Sequence, residues 1–183
     1  MIFIISAPSG AGKTTIVNDL TRRVPKLARL TTTTTRPPRG GEVDGRDYTF
    51  VSEETFLEMI EAGEFIEWKK TYGNYYGIPK QAIMNALDSD SDFVVILDVY
   101  GRQELVRRYP SCVSIFIMPP DVEELRQRLI QRGECPEEEM DARVSRIEEE
   151  LAFAPLYDHI VVNRCVDQAV SEVAGIIARY RAQ

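Results

Sequence analysis

Histidine, cysteine and tryptophan are scarce in this 183-residue chain: one His, three Cys and one Trp. The cysteines, Cys112, Cys135 and Cys165, are odd in number and widely spaced, which suits neither a disulfide framework nor a zinc knuckle. They read as ordinary reduced thiols. The lone histidine, His159, precedes a short apolar run and reads as structural. No apolar run approaches the ~20 residues needed to cross a bilayer, and the one in "MIFIISAPSG" is also too short for a signal sequence. Internal repeats, Ser/Gly-rich linkers and low-complexity tracts other than a threonine run are lacking too. Positive charge is in short supply: 22 Lys+Arg stand against 29 Asp+Glu, for a formal charge of -7. A surface of that sign repels the phosphate backbone of DNA or RNA. These absences point to a cytoplasmic protein with no membrane and no polymeric nucleic acid as partner.

What is present is an alternation of short apolar runs with helical periodicity. Ile2 to Ser6 is an unbroken apolar run of the kind buried on both faces of a sheet, and Lys13 to Arg23 follows with helical spacing. Phe93–Val99, Val113–Met118 and Ile160–Val162 are further buried-strand candidates. The segment from about Asp121 places Val122, Leu125 and Leu129 on one helical face, and Ala169, Val173, Ile176 and Tyr180 share another. Strand then helix, repeated, implies a parallel sheet with helices on both faces. The middle breaks this rhythm. Short strands flank a helix opened by Ser52 as N-cap, with Glu53 and Glu54 in its first turn. The chain is long enough for one well-formed core. It therefore reads as a single domain over 1–183: a core of 1–31 and 82–183, and an inserted, partly antiparallel lobe of 32–81. The segment "RGECPEEEM", broken by Gly133 and Pro136, reads as a lid at about 132–143.

The stretch "SAPSGAGKTT" lies directly after the first strand and opens the first helix, the setting of a phosphate-binding loop. Over Ala7, Pro8, Ser9, Gly10, Ala11, Gly12, Lys13, Thr14 and Thr15, the glycines let backbone N–H groups turn inward toward phosphate oxygens. The helix amino terminus adds partial positive charge. Lys13 can reach the β- and γ-phosphates of ATP, and the Thr14 hydroxyl can ligate Mg²⁺. Ala7 stands where the general motif carries its first glycine. A nucleoside triphosphate site alone leaves switch, motor and small-molecule kinase open. A switch needs an effector surface and a motor a second ATPase element, and neither is visible.

The threonine run "TTTTTRPPRGGE", Thr31 to Glu42, leads into Arg36 and Arg39, which are suited to bidentate capture of a phosphate. The prolines between them limit the entropy lost on closing. Further on come Glu42, Tyr48, Glu67, Tyr75 and Tyr76, so one small lobe combines cations, hydroxyl donors and carboxylates. A carboxylate fits guanine, whose N1–H and 2-amino groups are adjacent donors, and opposes adenine, which presents an acceptor at N1.

Taken together, "SAPSGAGKTT", "TTTRPPRGGEVDGRDYTFVS", "EFIEWKKTYGNYYG", "PPDVEELRQRLIQRG" and "IVVN" resemble the guanylate kinase family in order and approximate spacing over nearly the whole chain. The resemblance implies an α/β fold of the P-loop nucleoside monophosphate kinase type: a parallel sheet with flanking helices, a small inserted GMP-binding lobe and a lid. It implies transfer of the γ-phosphoryl group of ATP to GMP, with Mg²⁺ as cofactor. dGMP as an alternative acceptor, and monomer against homodimer, stay open. By matching positions, Thr32, Arg36, Arg39, Glu42, Tyr48 and Tyr76 would contact GMP, and Glu67 and Asp98 would read its base. Lys13, Arg39, Arg132 and Arg143 would act on the transferring phosphoryl group. An arginine brought in on lid closure contributes roughly a thousandfold or more to such transfers. Arg143 lies opposite the apolar stripe of Met140, Ile147 and Leu151, with Val144 alongside.

Two positions depart from the family pattern. Ile96 stands where an acid usually precedes the base-reading Asp98 by two residues, and Ile78 replaces a small hydroxyl residue after "YYG". Guanine discrimination then rests on Glu67 and Asp98, with a reduced preference for GMP over AMP. The acidic runs at 137–139 and 148–150 read as solvated faces, and Trp68 as part of the lobe core. Two alternatives remain: a non-catalytic binding module on the same fold, which tends to lose the residues at Lys13, Arg132 and Arg143, and a kinase of another small phosphate acceptor, which does not need Glu67 and Asp98.

Overall fold

The computed structural model describes residues 1–71, 73–121, 123, 125 and 140–182, and for 140–144 the backbone alone. In chain order the described elements are β1 (Ile2–Ser6), α1 (Lys13–Arg23), β2 (Leu27–Arg29), β3 (Thr33–Thr34), β4 (Thr49–Phe50), α2 (Glu53–Glu61), β5 (Phe65–Thr71) and β6 (Asn74–Pro79). There follow α3 (Lys80–Leu87), β7 (Asp92–Ile96), α4 (Val99–Arg108), β8 (Val113–Met118), α5 (Met140–Ala152), a 3-10 turn (Ala154–Leu156), β9 (His159–Val162) and α6 (Val166–Arg181). No helix among the described residues is long and apolar enough to cross a membrane.

The central sheet is parallel throughout, in the order β2-β7-β1-β8-β9. Its middle strand β1 is buried along its whole length, which is why its sequence is an unbroken apolar run. Alternation still sorts its side chains. Phe3 and Ile5 join the core cluster built with α1 and α6, while Ile2 and Ile4 join the cluster under α3 and α4. The strand expected at Phe93–Val99 ends at Ile96 instead. Asp98 leaves the sheet to cap α4, its side chain accepting from Gly101 N at 2.9 Å. β2 escaped sequence reading because only three residues, after a left-handed Lys26, form it against β7. The helix expected from about Asp121 lies outside the described residues apart from Asp121, Glu123 and Leu125. So does the predicted lid, apart from the start of α5.

A second sheet, in the order β4-β3-β6-β5, is antiparallel except where β3 meets β4. Ser52 caps α2 through its hydroxyl, accepting from Thr55 N at 3.1 Å. That helix buries Phe56, whose ring stacks on Phe65 and Tyr75 at centroid distances of 4.5 and 5.3 Å. A bulge in β5 between Phe65 and Glu67 resets the strand's alternation. Phe65 and Ile66 are both buried before it; after it, Glu67, Lys69 and Thr71 turn to one face while Trp68 and Lys70 turn to the other. Trp68 therefore does not join the lobe core as expected. It is 44% exposed and lies against Tyr75 on the outer face.

Candidate active site

The loop after β1 takes its shape from two left-handed glycines, Gly10 at φ 84° and Gly12 at φ 92°, conformations that a Cβ opposes. Asn163, at the end of β9, is buried and donates from Nδ2 to the Ala11 carbonyl at 2.8 Å. A Cβ at Gly12 would sit 3.0 Å from that same amide, so the loop and Asn163 close on each other. Ala7, Pro8 and Ala11 are buried, while Thr14 and Thr15 are exposed on the first turn of α1. Lys13 folds back over the loop, donating to the carbonyls of Ala7 and of Pro8. Burial pulls its amine below the ordinary lysine value, and Glu150 opposes that shift.

Most of the threonine run serves the scaffold. Thr34 Oγ1 donates to the Tyr75 carbonyl at 2.8 Å and accepts from Arg36 N, while Thr35 Oγ1 accepts from Tyr75 N at 2.9 Å. Thr31 is held at the Gly45 carbonyl. Thr32 alone among them lines the cleft. Beyond the prolines, Arg36 Nη2 lies 2.9 and 3.0 Å from the two Glu42 oxygens, and its guanidinium sits over the Tyr48 ring at 5.5 Å. Burial works against the Arg36 charge, and the Glu42 pair outweighs it. The sequence alone did not single out the anchor of this loop. Buried Asp47 takes Arg29 Nη1 at 2.8 Å, Arg46 Nη2 at 2.7 Å and Val43 N at 2.9 Å, which fixes the neighbouring Tyr48. Tyr48 then meets Tyr76 edge to face, with centroids 6.3 Å apart.

At the other end of the lobe, Glu67 Oε2 and Asp98 Oδ1 converge beside Gly101, each 3.5 Å from where a Cβ would stand there. Burial raises the Glu67 carboxyl above its ordinary value, and Lys69 acts the other way. Asp98 is engaged through both oxygens: Oδ1 accepts from Gly101 N, and Oδ2 is ion-paired with Lys69.

One cleft is lined by Ser9 and Lys13 from the phosphate loop and by Thr32, Arg39, Tyr48, Glu67, Tyr76 and Asp98. Arg36 and Glu42 are absent from that lining and brace the turn that carries Arg39. Ile78 and Ile96 line it as apolar walls. The cleft also takes in Lys69, Arg146 and Glu150, which sequence reasoning did not assign to it. The signals existed: Lys69 follows Glu67 by two in a strand, and Arg146 and Glu150 are four apart on α5. Within the acidic run at 148–150, Glu148 and Glu149 are exposed as expected, but Glu150 turns into the cleft beside Arg146, at 3.5 Å. Arg132 and the run at 137–139 lie outside the described residues, as does the Arg143 side chain. His159 is structural, with Nε2 3.1 Å from Tyr180 OH.

A phosphate loop after the central strand of a parallel sheet, facing a small lobe across one cleft, defines the class: a P-loop phosphotransferase of the nucleoside monophosphate kinase type. A guanylate kinase family model matches residues 1–180. The guanylate kinase of Caldanaerobacter subterraneus subsp. tengcongensis is 43% identical over 177 residues, covering 97% of this chain and 86% of the relative. That of Clostridioides difficile is 40% identical over 178 residues, covering 97% and 87%. The crystal structure of guanylate kinase from Anaplasma phagocytophilum superposes with a TM-score of 0.83 at 29% identity, covering all of this chain and 87% of that one. A shikimate kinase from Bacteroides thetaiotaomicron, 15% identical at a TM-score of 0.55, shares the fold alone. The chain belongs to the guanylate kinase family.

Proposed function

We propose that this chain transfers the γ-phosphoryl group of ATP to GMP, giving ADP and GDP. The observation that carries this reading is the single cleft that joins Lys13 of the phosphate loop to Arg39, Tyr48 and Tyr76 and to the Glu67 carboxylate. ATP phosphates are taken at the loop N–H groups and Lys13. The GMP phosphate is taken by Arg39 and the two tyrosine hydroxyls, with Arg36 braced behind them. Glu67 accepts from the N1–H of guanine, which adenine, with an acceptor at N1, cannot offer. Inserted lobe 32–81 is the acceptor-binding unit in this reading, and Arg132 and Arg143 act on the transferring group when the segment between them closes.

The exposed Thr14 hydroxyl is a hard oxygen ligand at the loop, which fits Mg²⁺ held mainly by nucleotide phosphates and water. No cluster of three acidic, His or Cys ligands exists among the described residues to hold it independently. Bound there, Mg²⁺ would neutralise charge on the nucleotide phosphates.

The test is a coupled assay of purified protein with ATP, Mg²⁺ and a panel of monophosphates. GMP is expected as the preferred acceptor over AMP, and Lys13→Ala is expected to lose about a hundredfold or more in kcat. Turnover that persists in Lys13→Ala, or a preparation turning over AMP as well as GMP, overturns the assignment.

A further inference from the structure

Lys69 stands in the acceptor cleft next to the carboxylate that family resemblance makes a base reader. After the bulge, β5 is in regular register with β6, Glu67 opposite Ile78 and Lys69 opposite Tyr76, and all four side chains line the cleft. Two positions along a strand span roughly 6.5–7 Å, so a carboxylate and an ammonium are presented side by side. The Lys69 Nζ atom is buried, ion-paired with Asp98 Oδ2 and 5.6 Å from the centre of the Tyr100 ring. Apart from that ion pair it has no hydrogen-bond partner among the described residues.

These contacts change what Asp98 can do. Its Oδ1 is committed to the Gly101 N–H that starts α4, and its Oδ2 to Lys69. A carboxylate neutralised by an adjacent ammonium gives up most of its attraction for a further N–H donor. The ammonium itself repels a 2-amino group brought to the same place. Ile78 and Ile96, on the cleft walls, offer no replacement acceptor. Glu67 also feels the Lys69 charge but is not ion-paired with it, and it remains the carboxylate at this end of the cleft that can accept from a base.

We propose that Lys69 is a specificity-determining residue that masks Asp98, so that Glu67 alone reads the base and the cleft tolerates 6-oxopurine monophosphates with or without a 2-amino group. The acceptor class is thereby broadened from GMP toward inosine monophosphate, which keeps N1–H and the 6-oxo oxygen. AMP stays disfavoured because its N1 acceptor opposes Glu67. Lys69 acts through Asp98 and is in that sense a positioning residue. This inference rests on the GMP reading above.

The experiment compares kcat and KM for GMP and for inosine monophosphate in the wild type, in Lys69→Met and in Lys69→Met/Asp98→Asn. Lys69→Gln serves as a second probe should the methionine variant fold poorly, with circular dichroism as the check on folding. Unmasking Asp98 is expected to raise the GMP-to-IMP ratio of kcat/KM about tenfold, the worth of one charge-assisted hydrogen bond. The gain should come from a lower KM for GMP with kcat little moved, and adding Asp98→Asn should remove it. A ratio that stays level or falls in both Lys69 variants overturns the inference, as does a gain that survives Asp98→Asn. Wild-type protein that fails to phosphorylate GMP sinks the acceptor assignment itself, and the inference with it. Wild-type turnover of GMP with an unmoved ratio in the variants sinks the inference alone.

Discussion

Glu42 holds the guanidinium of Arg36 through both carboxylate oxygens, at 2.9 and 3.0 Å, and also accepts from the backbone N–H of Arg39 at 2.7 Å. One carboxylate thus sets the spacing of two arginines across the proline turn. The arginines come pre-arranged, so less freedom would be lost if they closed on a phosphate, as the proposed reading requires. Family resemblance counts Glu42 among the residues touching GMP; in this structure it braces Arg36 and the turn that carries Arg39.

Removing that brace gives the first prediction. Glu42→Gln keeps the shape and loses the charge, so KM for GMP is expected to rise about tenfold or more while KM for ATP holds, measured by steady-state kinetics. The pH dependence follows from the sign of the shift. Burial pushes the Glu42 carboxyl up, but the Arg36 pair and the Arg39 N–H outweigh it and leave it below the ordinary glutamate value. A group depressed on folding contributes stability that is fully present above its unfolded value and is lost as pH falls through the folded one. Acid titration of the melting temperature should therefore show a smaller loss below about pH 4.5 in Glu42→Gln than in the wild type. Equal acid limbs in the two proteins contradict this.

Glu67 shifts the opposite way, because burial raises it and Lys69 only partly offsets the rise. In the proposed reading, accepting from guanine needs the carboxylate. As pH falls, GMP affinity should weaken at a higher pH than an ordinary glutamate would cause. Calorimetric titration of GMP across pH checks this, with Glu67→Gln expected to bind weakly at every pH and to lack the transition. A flat wild-type profile down to pH 4 refutes it.

Asp47 is the structural centre of the loop between β3 and β4, buried against Arg29, whose side chain is only 10% exposed. Asp47→Ala leaves that cation without its carboxylate, with only Asn18 Oδ1 and the backbone carbonyl of residue 47 as acceptors, and losing one partner costs about 3–5 kcal/mol in comparable buried ion pairs. Urea unfolding should show the loss. GMP binding should suffer as well, since Tyr48 is the next residue. A melting midpoint within a degree of the wild type counts against the pair as an anchor.

Gly77 separates Tyr76 from Ile78 on β6, where a Cβ would come within 2.6 Å of the Phe65 ring and 3.0 Å of Phe56. The two rings are stacked and cannot both retreat. Gly77→Ala is expected to destabilise the protein by about 1–3 kcal/mol through overpacking, and to raise KM for GMP by displacing its two neighbours. Thermal melting and acceptor kinetics measure the two effects, and an unperturbed variant shows that the aromatic stack yields.

Much of the architecture was legible in the chain itself. The apolar run of Ile2–Ser6, the Gly-Lys-Thr that follows it and the Ser52 cap are local signals, and local signals survive because backbone geometry and capping act over a few residues. Chain order also placed Arg36, Arg39, Tyr48, Glu67 and Tyr76 within one short stretch.

The tertiary structure decided which of those groups face the cleft and which are consumed by each other. Arg36 is taken by Glu42, most of the threonine hydroxyls by loop backbone, and Asp98 by Lys69 and Gly101. A β-bulge turned Glu67 and Lys69 inward together and Trp68 outward, and helix α5 swung Arg146 and Glu150 into the cleft. Electrostatic pairing depends on distances of a few ångströms between residues far apart in the chain, as with Lys69 and Asp98, and no periodicity along the sequence encodes those distances.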